Sequence, residues 1–181
     1  PFKKKMISIK KLSQNLDEIN FSKNIYEKSF PIEERRDFSL VLDIYKTDSL
    51  SLNLIYDNET MVGILNYWDF NDFLYIEHLA VNEQYRNQKI ATKVLEQLNS
   101  QNKLIVLEVE LPNDELSKRR IRFYERNAYL IQPFTYFQPP YRKGEERIKM
   151  HLMANTQLPI NKTKYDEVVG IIEKKVYEKF W

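Results

Sequence analysis

The sequence predicts an α/β (α+β) fold, a central mixed and twisted sheet of about seven strands flanked by helices, with one extra C-terminal helix. Three observations predict it. Two apolar, β-branched runs flank a short polar linker early in the chain. Strand-like and helix-like segments then alternate. The helical segments carry apolar residues at three- and four-residue spacing, whereas the strand-like ones are short apolar runs.

Met6 to Lys10 reads as a short first strand. Asn15 to Ser29 carries Leu16, Ile19, Ile25 and Tyr26, a loose helical stripe that stops before Pro31. Phe38, Val41, Leu42 and Tyr45 fall at i, i+3, i+4 and i+7, the spacing of an amphipathic helix. Leu52 to Tyr56 and Met61 to Trp68 flank Asp-Asn-Glu-Thr and read as a hairpin. Phe73 to Val81 is the next strand. Ile90, Val94, Leu95 and Leu98 mark a helix. Lys103 to Leu111 is an apolar strand. Pro112-Asn113-Asp114 is a turn with a cap, opening a helix over Asp114 to Asn127. Tyr129 to Gln132 and Arg147 to Met153 are strands joined by a Pro- and aromatic-rich loop. Beyond Pro159 a last helix carries Tyr165, Val168, Ile172, Val176 and Tyr177 on one stripe. That stripe docks on the core, or serves as a homodimer contact or a wall of an acceptor pocket. The expected organisation is one domain over residues 1–155 and a helical extension over 156–181 packed on it.

Composition narrows the function classes. The 181 residues suffice for one domain with a real core. Net charge is only +2, which gives no bulk electrostatic case for nucleic acid. Basic residues cluster locally at Lys3, Lys4, Lys5, Lys10 and Lys11, and again at Lys118, Arg119, Arg120, Arg122 and Arg126. Such runs usually form solvated faces. Cysteine is absent, so there is no disulfide, thiolate metal site or cysteine nucleophile, which fits a cytoplasmic setting. No apolar run approaches the ~18 residues of a membrane span. His78 and His151 stand alone on strands without metal-ligand spacing, so no metal is expected.

Ile76 to Ala91 reads Ile-Glu-His-Leu-Ala-Val-Asn-Glu-Gln-Tyr-Arg-Asn-Gln-Lys-Ile-Ala, an apolar strand that breaks into a polar loop opening directly into a helix. Such a helix start presents unpaired backbone N–H donors and a positive dipole end to a pyrophosphate. Further on, Leu-Glu-Val-Glu at Leu107 to Glu110 precedes Phe-Tyr-Glu-Arg-Asn-Ala-Tyr at Phe123 to Tyr129. In this order the segments resemble the acyl-CoA site of GNAT-type N-acetyltransferases. The resemblance covers roughly residues 6 to 153 and is strongest from 74 to 130.

The resemblance implies acetyl-CoA as co-substrate and transfer of its acetyl group to a primary amine of a small molecule or peptide, by direct attack in a ternary complex. Arg86 and Ala91 match the ends of the family's pyrophosphate motif, a Gln or Arg, two variable residues, Gly, one variable residue, then Gly or Ala. Lys89 stands where that pattern has glycine. We expect Lys89 to keep ordinary helical dihedrals as part of the helix's first turn. The implied cofactor set is Leu79, Ala80 and Val81, then Arg86, Asn87, Gln88, Lys89, Ile90, Ala91 and Thr92, with Ser117 and Phe123. In the family the strand ending at Leu79 to Val81 splays from its neighbour, and its free backbone groups pair with pantetheine amides like an added strand. Ser117 falls where the family often has asparagine, and Ala128 replaces a usual glycine.

Amide formation from a thioester requires an amine that loses a proton, a polarised carbonyl and a stabilised thiolate. By resemblance Tyr124 faces the thioester sulfur as hydrogen-bond donor. Two carboxylates compete as base. Glu77 sits inside an apolar strand, and Glu108 matches a glutamate that some family members use, with Glu110 on its face by the two-residue period. The aromatic loop of Phe134, Tyr136, Phe137, Pro139, Pro140 and Tyr141 packs at the core edge or walls the acceptor site. Two other classes predict different behaviour. A catalytically silent CoA-binding protein would tolerate carboxylate substitutions. A basic interaction module would bind nucleic acid with steep salt dependence.

Overall fold

The computed structural model describes residues 6–47 and 49–181; Lys3, Lys4 and Lys5 of the N-terminal basic cluster lie outside the described residues. Among the described residues the chain forms eight strands and five α-helices in a mixed sheet flanked by helices. It falls into two compact units. The first runs to Asp69 and resumes over Ile76–Gln101; the second holds Phe70–Tyr75 and Asn102–Trp181.

In the first unit, β1 (Ile7–Lys11), β2 (Ser51–Asp57) and β3 (Thr60–Asp69) form an antiparallel run that continues to β4 (Phe73–Val81), whose residues from Ile76 onward belong here. The expected hairpin is present, with Asn58 of its two-residue turn at φ 57°. Asparagine tolerates that left-handed conformation better than most side chains. Helix α1 (Leu16–Ser29) starts at Asn15, whose side chain accepts the amides of Asp17 and Glu18 at 2.8 and 3.2 Å. Its buried face differs from the expected stripe. Leu16 is 73 % exposed, and Ser22, Ile25 and Tyr26 point inward. Leu16 occupies the first helical position, where the turn beneath it that would cover its side chain has not yet formed. Helix α2 (Phe38–Tyr45) buries Phe38, Val41 and Ile44. Helix α3 (Ile90–Asn99) buries Ile90, Val94, Leu95 and Leu98, as its periodicity predicts, and Gln97 donates to the Ile7 carbonyl at 2.8 Å.

Gly63 of β3 fixes how closely β4 can lie. A Cβ there would overlap the carbonyl oxygen of Ala80 and press on Val81. Only glycine permits that approach, and it seats the end of β4 that carries the implied cofactor contacts.

In the second unit, β5 (Leu104–Glu110) pairs antiparallel with β8 (Ile148–Ala154). β8 also takes the short strands β6 (Leu130–Ile131) and β7 (Tyr136–Gln138). β7 lies within the aromatic loop, where no strand is expected from the sequence. Three residues between prolines give too short an alternation to read. Helix α4 (Glu115–Arg126) starts at Asp114 through a reciprocal capping box with Ser117. Helix α5 (Lys162–Ile172), capped by Asn161, widens into a π turn over Glu173–Tyr177. Tyr165, Val168, Ile172, Val176 and Tyr177 are all buried, as their stripe predicts. The segment 156–181 thus belongs to the same unit as the strands from β5 onward.

Candidate active site

The loop after β4 is built from short local bonds. Asn82 accepts the Gln84 amide at 3.3 Å, and a single 3-10 turn follows over Glu83–Tyr85. The Arg86 side chain folds back and donates Nε–H to the Val81 carbonyl at 3.3 Å, tying the loop to the strand end. Asn87 and Lys89 both take left-handed dihedrals, φ 63° and 61°. The expectation of helical dihedrals at Lys89 is therefore corrected. Lys89 is the N-cap of α3, with φ 61° and ψ 18°, outside the helix and without a side-chain cap bond. The chain reverses sharply from loop to helix, and a left-handed residue makes that turn. The backbone thus takes at this position a conformation suited to glycine, in a chain that has lysine there.

The first regular amide bond of α3 is Lys93 to the Lys89 carbonyl, 3.0 Å. The amides of Ile90, Ala91 and Thr92 precede it, at the helix start where intrahelical acceptors run out. Together with Leu79, Ala80 and Val81 on β4 they place that part of the implied cofactor set on one strand–loop–helix turn of the first unit.

Glu77 lies in the same unit, with its side chain 1 % exposed. The Arg36 guanidinium forms an ion pair with Oε1, and the Trp68 indole donates to Oε2 at 2.6 Å. Burial alone would raise its carboxyl, but Arg36 above all, then His78 and the Trp68 N–H, hold it below the usual glutamate value. His78 is buried against Tyr26 and Phe30 and sits 3.1 Å from the Glu34 carbonyl, and burial pushes its imidazole down.

Glu108, on β5 in the second unit, has a different setting. Tyr136 donates to Oε1, Gln138 to Oε2, and the Tyr177 hydroxyl lies 2.9 Å from Oε2 and 3.2 Å from Oε1. Tyr75 completes the cluster, 3.1 Å from the Tyr177 hydroxyl. Burial pushes the Glu108 carboxyl up, and these neutral donors offset only part of that rise. Glu110, on the same strand face, pairs with Arg120 of α4.

Tyr124 sits in the last turn of α4. That helix ends in a Schellman motif, with Tyr129 N–H to the Tyr124 carbonyl and Ala128 N–H to the Glu125 carbonyl, both 3.1 Å. Ala128 takes the left-handed position at φ 69°. The Tyr129 ring packs edge-on to Tyr124, centroids 5.8 Å apart, and Phe123 does so at 5.1 Å. Burial pushes the Tyr124 phenol up to about 12, with Arg120 opposing. It therefore stays protonated at neutral pH and is a donor rather than a base.

Ser117, implied as a cofactor contact, is 3 % exposed, and its hydroxyl is engaged with Asp114 in the helix cap. Lys118 pairs with Glu115 and Arg120 with Glu110. Among the described residues no group of three His, Asp or Glu side chains is placed to hold a metal ion, and no helix is long and apolar enough to cross a membrane. The sequence reading missed Arg36, Trp68, Gln138 and Tyr75 as partners of the two carboxylates. It placed Tyr136 and Tyr177 only as aromatic-loop and helix-stripe residues.

Comparisons with known proteins point one way. The model of the acetyltransferase (GNAT) family matches residues 18–129. "Putative acetyltransferase YjbC" of Bacillus subtilis (strain 168) is 33% identical over 112 residues, 59% of this chain. That match spans 56% of the curated relative's own length. A solved "Putative acetyltransferase from GNAT family" of Bacteroides thetaiotaomicron is 32% identical over 94% of this chain and 98% of its own, with a TM-score of 0.87. Naa50 of Arabidopsis thaliana, solved with a bisubstrate analogue CoA-Ac-MVNAL, shares the fold at TM-score 0.60 and 18% identity, over 83% of this chain and 98% of its own.

Proposed function

This chain belongs to the GNAT acetyltransferase family, and from that premise we propose that it acetylates a primary amine, on a small molecule or a peptide, with acetyl-CoA as donor and Glu108 as general base. The observation that carries the choice of base is the contrast in partners. Glu108 is raised by burial among neutral donors, whereas Glu77 is held low by the Arg36 cation. A general base works best with its pKa near the operating pH, well above the ordinary value of a carboxylate. A raised carboxyl narrows that gap and a lowered one widens it.

In this reading the pantetheine amides pair with the backbone of Leu79 to Val81, and the pyrophosphate meets the amides at the start of α3. Arg86 to Lys89 shape that turn, and Thr92 adds a hydroxyl in the first helical turn. The amine nitrogen attacks the thioester carbonyl carbon. The acceptor enters as the neutral amine; the new C–N bond forms, the C–S bond breaks, and the nitrogen gives one proton to Glu108. The thiolate accepts a hydrogen bond from Tyr124. With the phenol at about 12 and a thiol near ~8.5, full transfer from Tyr124 is uphill by about 5 kcal/mol, so it stabilises the departing sulfur chiefly as a donor.

Titration calorimetry with acetyl-CoA tests the cofactor half, with micromolar binding expected and absence of binding overturning it. Acetylation of a polyamine, an aminoglycoside and a short peptide, followed by thiol release, tests the transferase half. Binding without turnover of any amine would favour the silent CoA-binding protein.

A further inference from the structure

The C-terminal π turn contributes a side chain to the carboxylate cluster of the second unit. Ile172, Val176 and Tyr177 are all fully buried. A regular helix stacks a residue on those three and four positions away, whereas a π turn brings the fifth into line. The widening over Glu173–Tyr177 therefore lets Val176 keep its core position while Tyr177 turns its hydroxyl to β5. Such a turn is less favourable than plain α-helix, and it is braced at both ends. Arg147 pairs with Glu173 at its start, and the Trp181 indole donates to the Pro140 carbonyl at 2.9 Å beyond it. The Tyr141 ring packs on Tyr177, centroids 5.0 Å apart.

We infer that Tyr177 is a positioning residue for Glu108: its hydroxyl, within hydrogen-bond distance of both carboxylate oxygens, fixes the plane of the carboxyl and makes the C-terminal segment part of the catalytic apparatus. The inference rests on Glu108 being the base. The groups facing Glu108 are Tyr136 and Gln138 from β7, Tyr177 from the C-terminal segment and Tyr75 from β4, with Tyr141 behind Tyr177. None of them is a cation. Each hydroxyl lost removes a donor to the ionised form, so the carboxyl must protonate more readily.

The test compares Tyr177→Phe with Tyr165→Phe. Tyr165 lies on the preceding helix, and its buried hydroxyl has no hydrogen-bond partner among the described residues. Carbon-13 spectra of glutamate-labelled protein, with the Glu108 signal assigned by Glu108→Gln, follow the carboxyl titration without any acceptor. We expect Tyr177→Phe to move the midpoint upward by about one pH unit, and Tyr165→Phe to leave it in place. With whichever probe amine is turned over, kcat/KM on the acid side of the profile then falls about tenfold in Tyr177→Phe. An unmoved Glu108 midpoint in a folded Tyr177→Phe protein overturns the inference. Full activity in Glu108→Gln overturns instead the assignment of the base, while a shifted midpoint would still establish the positioning contact.

Discussion

Glu77 and Glu108 are both strand glutamates with enclosed carboxyl groups, yet the two units treat them oppositely. The first unit supplies a cation, Arg36, and an indole N–H; the second supplies tyrosine hydroxyls and an amide. A buried anion beside a cation stays ionised and becomes a poor proton acceptor. The same anion beside neutral donors keeps much of its desolvation penalty and binds a proton more readily. Burial of a carboxylate therefore says little about its chemistry until the charge of its partners is known.

The contrast can be broken most sharply at Glu108. Glu108→Gln should lower kcat by about 10²–10⁴-fold while leaving acetyl-CoA affinity intact, read by steady-state turnover beside calorimetry. Unchanged kcat would remove Glu108 from the chemistry. Next in size is Arg36→Met, which strands the Glu77 carboxylate. It should cost about 3–5 kcal/mol in denaturant unfolding, and Arg36→Met combined with Glu77→Leu should recover much of the loss.

The pH dependence of stability separates the two carboxyls by sign. Glu77 titrates below its ordinary 4.5 in the folded protein, so its contribution is present above that value and is lost as pH falls through the folded pKa. Glu108 titrates above 4.5 when folded, so its contribution is present below that value and is lost as pH rises through the folded pKa. Glu108→Gln should therefore gain stability relative to the parent between mildly acid and neutral pH, followed by thermal unfolding. Loss of stability over that interval would contradict the raised carboxyl.

The smallest effects lie in the backbone. Lys89→Gly and Ala128→Gly should each stabilise by up to about 1 kcal/mol, because both positions are left-handed. The first should not weaken acetyl-CoA binding unless the lysine charge itself contacts the cofactor. Comparing calorimetry at low and high salt would show that.

Much of this fold was legible because its helices and strands carry clean periodicity. Ile90, Val94, Leu95 and Leu98 are buried as their spacing demands. The candidate residues of β4, the α3 turn and Tyr124 were legible from ordered motifs. The partners of the carboxylates were not. Arg36 meets Glu77 across 41 residues and Tyr177 meets Glu108 across 69, pairings that only tertiary packing creates. Lys89 was misread for a related reason. Residue type argues against a left-handed conformation there, and the turn geometry overrides it.

The two tryptophans fall one to each unit and differ in environment: Trp68 is 1 % exposed and bonded to Glu77, whereas Trp181 is 44 % exposed. Intrinsic fluorescence should therefore contain two separable colours, a shielded blue emission from the first unit and a redder, iodide-quenchable one from the second. A single emission spectrum, resolved by quenching, can report which unit loosens first on heating.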